Sequence, residues 1–286
     1  MLLANILVAG LLTGAVYALM ALGLSVIFGV IRIVNFAHGE MMVLGMFGAW
    51  ALNRFLHLDP LWAMPLVAAA LFLAGYALQR GLINRFVARP EHMQFLLMLA
   101  IAIMLTSAML MGFGPDARNV QLDYAFDSYD LGGLLVDKVR VLAAGGAVAG
   151  AALLWAFFRF ARTGKAIRAC ADNYLGAQVV GLDVKRLYAI TFGIGAACVG
   201  AAGSLMLLLV DVHPYLATDY TLLAFIIVIV GGLGSLGGAL LGGLLIGLSE
   251  ALSGFFIDPS MKSMFSYGLL ILVLLVRPQG LLGRRL

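Results

Sequence analysis

Residues 2–31 read LLANILVAGLLTGAVYALMALGLSVIFGVI, thirty consecutive positions without a single Asp, Glu, Lys or Arg. That run is too long for the apolar core of a signal peptide, and Met1–Gly10 carries no positive charge ahead of it. It is expected to be a first membrane span. The rest of the chain has the same character. Of 286 residues 63% are hydrophobic and only 11% charged, against roughly 25% charged in soluble domains. So few charges cannot cover about 180 apolar side chains in water, whereas eight crossings at about 20 apolar residues each would use roughly 160. The expected fold is therefore all-α, a polytopic transmembrane helical bundle of eight spans, give or take one or two, in a single membrane domain covering 1–286.

Apolar windows fall near 6–30, 39–56, 61–79, 93–112, 141–158, 187–210, 220–256 and 263–276. Twelve of the eighteen basic residues lie in three segments, 80–89, 159–186 and 277–285, and Lys and Arg near span ends mark the cytoplasmic face. The stretch 114–140, with Asp116, Asp123, Asp127, Asp130 and Asp137, is then expected to face outward. The segment 220–256 is too long for one span and contains Gly231-Gly232-Leu233-Gly234-Ser235-Leu236-Gly237-Gly238. Glycine clusters in membrane segments permit close backbone approach or a non-helical break. Taking the number of crossings between Arg186 and Arg277 as odd, a broken span with a re-entrant half fits the charges. Two complete spans fit only if the last window or another apolar stretch here does not cross. A break at Gly231–Gly238 is expected either way.

A second interruption is Arg32-Ile33-Val34-Asn35-Phe36-Ala37-His38-Gly39-Glu40. Charged groups are costly in a bilayer and must face protein, water or the interface. Two readings stand side by side. One is an interfacial turn between spans; the other is a helix break whose Asn35, His38 and Glu40 line or pack a polar pathway. His38 and Glu40, two apart, do not share a helix face, which argues against a helical zinc pair. Glu250 is expected to hydrogen-bond an adjacent span, and Asp211, His213, Pro214 and Asp219 to form a short outward connection. The histidines are scattered, so no metal site is expected. Ser235 lacks the glycine two positions earlier that a nucleophile elbow requires, and no catalytic residue is expected. The charge of +4 comes without a nucleic-acid-binding motif.

The basic segment 159–186 contains Gly164-Lys165-Ala166-Ile167-Arg168-Ala169-Cys170-Ala171-Asp172-Asn173-Tyr174-Leu175-Gly176-Ala177-Gln178-Val179-Val180-Gly181. Gly164 and Gly181 are expected to punctuate two or three helical turns. Small side chains at Ala166, Ala169 and Ala177 would let them lie deep in a partner's groove, with Arg168, Asp172 and Asn173 fixing orientation. An ordinary interfacial helix explains the same residues equally well. Thr163-Gly164-Lys165-Ala166 is not a phosphate loop: Arg159 stands where the first glycine belongs, and no Ser or Thr follows the lysine.

Five stretches in this order resemble the permease family of branched-chain amino acid ABC importers, the shorter of its two permease types. They are Tyr17–Leu24, Ile33–Glu40, the Gly164–Gly181 segment, Gly231–Ala239 and Arg277-Pro278-Gln279-Gly280-Leu281-Leu282-Gly283. The resemblance implies a multi-pass protein of the bacterial inner membrane, surrounded by lipid and paired with a second homologous permease. It also implies two ABC ATPase subunits that use ATP and Mg, a periplasmic substrate-binding protein, and no cofactor on this chain. Gly164–Gly181 matches the family's coupling segment. The breaks at Asn35–Glu40 and at Gly231, Gly232, Gly234, Ser235 and Gly237 are the candidate translocation pathway, since helix N-termini at broken spans can meet a carboxylate. Urea or short amides as cargo, or a stand-alone secondary transporter or channel, are the alternatives.

Overall fold

The structure is a computed structural model describing residues 2–130, 132, 135–258 and 261–283. Arg284 and Arg285, part of the basic tail, lie outside the described residues. The helices are α1 (Leu2–Ile31), α2 (His38–Leu56), α3 (Pro60–Gly81), α4 (Glu91–Phe113) and α5 (Lys138–Phe160), preceded by a short hairpin of β1 (Ser128–Asp130) and β2 (Leu135–Asp137). They continue with α6 (Arg162–Asp172), α7 (Tyr174–Val179), α8 (Val184–Met206), α9 (Leu216–Gly231), α10 (Leu236–Phe256) and α11 (Lys262–Val276). The chain is thus a polytopic helical bundle, and among the described residues six helices are long and apolar enough to cross a membrane by themselves.

Burial divides these helices into two classes. The spanning windows of α1 and α8 are 78% and 83% buried, whereas those of α3, α4, α5 and α10 are 22–33% buried. α1 and α8 are the axis of the bundle, and the others turn much of their apolar surface outward, where lipid is as good a solvent as protein. α8 can occupy the centre because Gly193, Gly195, Ala196, Gly200, Ala202 and Gly203 leave it a thin cylinder. Gly195 meets Gly23 of α1, and Gly200 meets Gly45 of α2.

Contacts between helix ends settle the sides. α3 ends and α4 begins at the basic segment 80–89, and α5 ends and α8 begins around 159–186. On the opposite face, Arg118 and Val212 exchange backbone hydrogen bonds of 2.9 and 2.8 Å, and the Tyr124 hydroxyl donates to Asp59. α1 runs antiparallel to α10, Gly29 beside Gly234 and Gly10 beside Gly247. The tail returns to the same end as that first pair: the amides of Leu281 and Leu282 donate to the carbonyls of Val230 and Gly231, both at 2.9 Å.

These contacts place the expected break at Gly231–Gly238 between two separate helices, in place of the re-entrant half. α9 and α10 are separate antiparallel helices, and α8, α9, α10 and α11 lead from Arg186 back to Arg277 on one face. An even number of crossings, not an odd one, returns a chain to the side it left. The glycine run is the hairpin between two helices. Among the described residues, nine helices of fifteen residues or more are present, inside the range expected from composition.

The connection between α2 and α3, on the face opposite the basic segments, shows how one side chain serves two elements. Asp59 Oδ1 accepts the Leu61 amide at 2.8 Å and so caps α3, with Pro60 in the first turn. Its other oxygen takes the Tyr124 hydroxyl, tying the loop 114–137 to the helix. Burial, chiefly, and then the adjoining Asp59 carboxylate hold the Tyr124 phenol well above its ordinary pKa. Asp59→Ala is expected to lower stability by about 1–2 kcal/mol through loss of the cap and the tie. Thermal unfolding in detergent checks this, with Tyr124→Phe predicted to shift the midpoint by less.

Candidate functional site

At the first break, α1 ends when Arg32 adopts a left-handed conformation, φ 59°. The segment then alternates buried Ile33 and Asn35 with exposed Arg32 and Val34, as extended chain does. Asn35 Oδ1 accepts the Ala37 amide at 3.1 Å, a local turn of the kind asparagine favours, and α2 starts at His38. His38 lies 3.0 Å from the Met20 carbonyl through Nε2. A carbonyl only accepts, so Nε2 carries the proton. Gly39 donates its amide to Thr221 Oγ1 at 2.9 Å, and that hydroxyl donates to Glu40 Oε2 at 3.3 Å.

Depth follows from those partners. Met20 lies eleven residues before the end of α1, about 16 Å along a helix. Thr221 lies ten residues before the end of α9, about 15 Å. α2 therefore begins near the middle of the bundle, reached by extended chain from the basic face. An interfacial turn does not describe it, and a helix break does. Irregular backbone at such depth is tolerated where protein buries it; here Asn35 and His38 are fully buried and Glu40 nearly so. The first turn of α2 is also already served. Thr221 occupies the Gly39 amide, and Glu40 adds a carboxylate of its own. The geometry packs the break tightly and leaves little of the helix terminus open to an anion.

The second break lies at the basic face. Gly232 and Gly234 have φ of 108° and 76°, and Ser235 caps α10 by accepting the Gly238 amide at 3.1 Å. A Cβ on Gly231 would collide with the Gly238 carbonyl, while one on Gly237 would meet only Leu282 Cδ1 at 3.6 Å. Gly231, Gly232 and Gly234 are thus structurally constrained and Gly237 is not. The hairpin lies beside the end of α1, Gly234 against Gly29, but the length of α9 from Thr221 to Gly231 separates it from the His38 group.

A third polar group was only half legible. Glu250 accepts from Tyr17 at 2.9 Å and from Ser266 at 3.2 Å, joining α1, α10 and α11. Its expected bond to a neighbouring span is present. Tyr17, Ser266 and Thr221 were missed because a hydroxyl on an apolar helix carries no pattern that announces its partner.

On the basic face, 159–186 forms two helices, and the expected punctuation by Gly164 is not observed. Gly164 sits within α6, where a Cβ would strike the Phe157 carbonyl of α5, so it lets α6 fold back onto the preceding span. Gly181, φ 84°, does end the segment. Ala177 is buried and Ala166 half-buried, together with Ile167 and Cys170 on the inner side. Burial raises the Cys170 thiol pKa. Arg168, Ala169, Asp172 and Asn173 face outward, and Asn173 Oδ1 caps α7 through the Gly176 amide at 2.9 Å. The sequence reading overlooked this segment's most exposed apolar residues, Val179 at 86% and Val180 at 76%, with Leu175 beside them. Among the described residues no three His, Cys, Asp or Glu are placed to hold a metal ion.

Comparison with known proteins agrees with this architecture. The family described as "Branched-chain amino acid transport system / permease component" matches residues 6–274. The high-affinity branched-chain amino acid transport system permease protein LivH of Escherichia coli (strain K12) is 33% identical, covering 96% of this chain and 94% of that protein. BraD of Pseudomonas aeruginosa, a protein with the same description, is 30% identical, covering 97% and 95%. A probable branched-chain amino acid permease of Methanocaldococcus jannaschii is 27% identical over 93% of this chain and 88% of its own.

Proposed function

Because this chain belongs to the branched-chain amino acid transport permease family and is a multi-pass inner-membrane protein, we propose that it is the membrane gate of an ATP-driven importer. In this reading it pairs with a second homologous permease. Two ABC ATPase subunits bind below, using ATP and Mg, and a soluble binding protein delivers branched-chain or related amino acids from outside. The chain itself binds no cofactor and is not an enzyme.

The observation that carries the proposal is the outward face of α6 and α7. It stands on the basic side, joined covalently to α5 at one end and to the central α8 at the other. Val179, Val180 and Leu175 are left uncovered, beside Ala169, Asp172 and Asn173. Such a surface suits insertion into an ATPase groove. A push on it is delivered to α5 through Gly164, seated against Phe157, and to α8 through the short link 180–183. A partner that closes on nucleotide then biases the bundle between outward and inward access, because it binds one arrangement better than the other.

Reconstitution tests the whole reading. The chain with its partners is expected to take up leucine, isoleucine or valine only with ATP and binding protein, and a urea or short-amide panel defines the cargo. If the chain alone in liposomes concentrates solute, the gate reading fails. Ala169→Trp should cut ATP-dependent uptake by at least about tenfold while the permease remains folded, since the added ring occupies exposed space meant for the partner. Ala177→Trp should instead destabilise the permease itself, overpacking a buried site by about 1–3 kcal/mol or more. Normal coupling in the Ala169→Trp complex would remove the docking claim.

A further inference from the structure

On the outer face, the last turn of α2 and the chain following α4 enclose a recess of about 480 Å³ lined by Trp50, Asn53, Arg54, His57, Arg118 and Gln121, among others. Its charge is unexpected. Basic residues concentrate on the cytoplasmic side of membrane proteins. Two cations elsewhere on this outer face are paired, Lys138 with Asp127 at 2.9 Å and Arg140 with Asp137 at 2.8 Å. Arg54 and Arg118 have no carboxylate within 4.0 Å among the described residues, and the lining contains no acid.

The recess is also prearranged. The Arg118 guanidinium donates to the Phe113 carbonyl and lies 4.5 Å above the Trp50 ring. His57, in a left-handed cap with φ 52°, sets the chain turning beneath Arg54, and Asn53 holds that turn by donating to the Leu58 carbonyl at 3.1 Å. Exposed apolar side chains stand at the same ends of α2 and α4: Phe55 is 76% exposed, Leu56 66% and Met111 84%. Cations in an acid-free recess, an aromatic ring beside them and uncovered apolar side chains at the same helix ends are what the headgroup boundary of a bilayer would contact.

We propose that this recess binds the phosphate of an anionic phospholipid in the outer leaflet. Arg54 and Arg118 meet the phosphate oxygens, in the fork geometry guanidinium offers, and His57, Asn53 and Gln121 stand by as hydrogen-bonding groups. The acyl chains run along the exposed apolar surface at the ends of α2 and α4. A zwitterionic lipid brings an ammonium group into the same positive recess and binds less well. The site depends on the membrane placement of the helices, not on the importer reading.

The purified full chain in detergent, titrated with phosphatidylglycerol or phosphatidylcholine and followed by native mass spectrometry, tests the assignment. Phosphatidylglycerol should be retained preferentially. Arg54→Gln should weaken it about fivefold, the scale for one cation near an anionic surface, and Lys138→Gln should leave it unchanged. Arg118 also supports Phe113 and Trp50, so Arg54, exposed and free of such contacts, carries the decisive variant. Equal retention of the two lipids, or wild-type binding by Arg54→Gln, would overturn the site. Displacement of the lipid by millimolar inorganic phosphate would overturn the lipid assignment in favour of a free anion.

Discussion

Substituting alanine for Gly39 is expected to abolish uptake and to lower sharply the yield of folded protein. A Cβ there would collide with the carbonyl oxygen of Ala217 and lie 2.5 Å from Thr221 Oγ1 and 2.6 Å from the Thr221 amide. Two of those atoms are backbone, so no rotamer relieves the clash and α2 must withdraw from α9. Withdrawal breaks the bond from the Gly39 amide to Thr221 and separates Thr221 from Glu40. Overpacking costs about 1–3 kcal/mol or more, and leaving a buried donor unpaired adds about 1–3 kcal/mol. Thr221→Val removes only the side-chain bonds and should cost less. Thermal unfolding and uptake measured on both variants check the ranking, and a Gly39→Ala protein with wild-type midpoint and uptake would refute the tight crossing at the first break.

The second large effect is a contrast within the glycine hairpin. Gly231→Ala should impair folding and transport severely, because its Cβ would overlap the Gly238 carbonyl where α9 and α10 meet. The carbonyl of Gly231 also receives the Leu282 amide, so displacement there releases the tail from the end of α9. Gly237→Ala should remain close to wild type, its Cβ reaching only Leu282 Cδ1 at 3.6 Å. Gly234→Ala is expected to fall between them: φ is 76°, which a side chain tolerates poorly, but the nearest atom is Gly29 Cα at 3.2 Å. Uptake and size-exclusion profiles compare the three variants directly. Similar behaviour of Gly231→Ala and Gly237→Ala would show that the hairpin is not set by close approach at Gly231.

Much of the bundle is legible because membrane solvation is a property of composition. Uncharged runs such as residues 2–31 must be helices in lipid, since a spanning backbone has to satisfy its own hydrogen bonds. The clusters Arg80–Arg89 and Arg159–Arg186 mark one face without reference to any neighbour. The run Gly231–Gly238 announced a break. Its meaning was not readable, because no sequence signal shows that the tail returns to it; the bonds from Leu281 and Leu282, with Gly234 beside Gly29, place the hairpin at the basic end of α1.

The candidate residues divide along the same line. Asn35, His38 and Glu40 are conspicuous in an apolar chain, so their presence at an interruption was readable. Their depth was not, because it depends on which carbonyl His38 meets and which hydroxyl lies beside Gly39, and those partners are 18 and 182 positions away. In the α6–α7 segment, small size suggested that Ala169 and Ala177 belong to one docking face. The fold turns Ala177 inward and leaves Val179 outside, since the curvature of a short helical pair depends on what lies beneath it.

Composition and charge placement by themselves determined that this protein is a helical membrane bundle, which runs of residues are helical, and which face is basic. Those follow from transfer of side chains between water and lipid, a free energy each residue carries regardless of its neighbours. Tertiary structure alone decided that α2 begins halfway through the bundle, that the glycine run closes against the tail, and which small residues touch protein. These depend on distances between backbones remote in the chain, where a single carbon atom decides whether two helices meet.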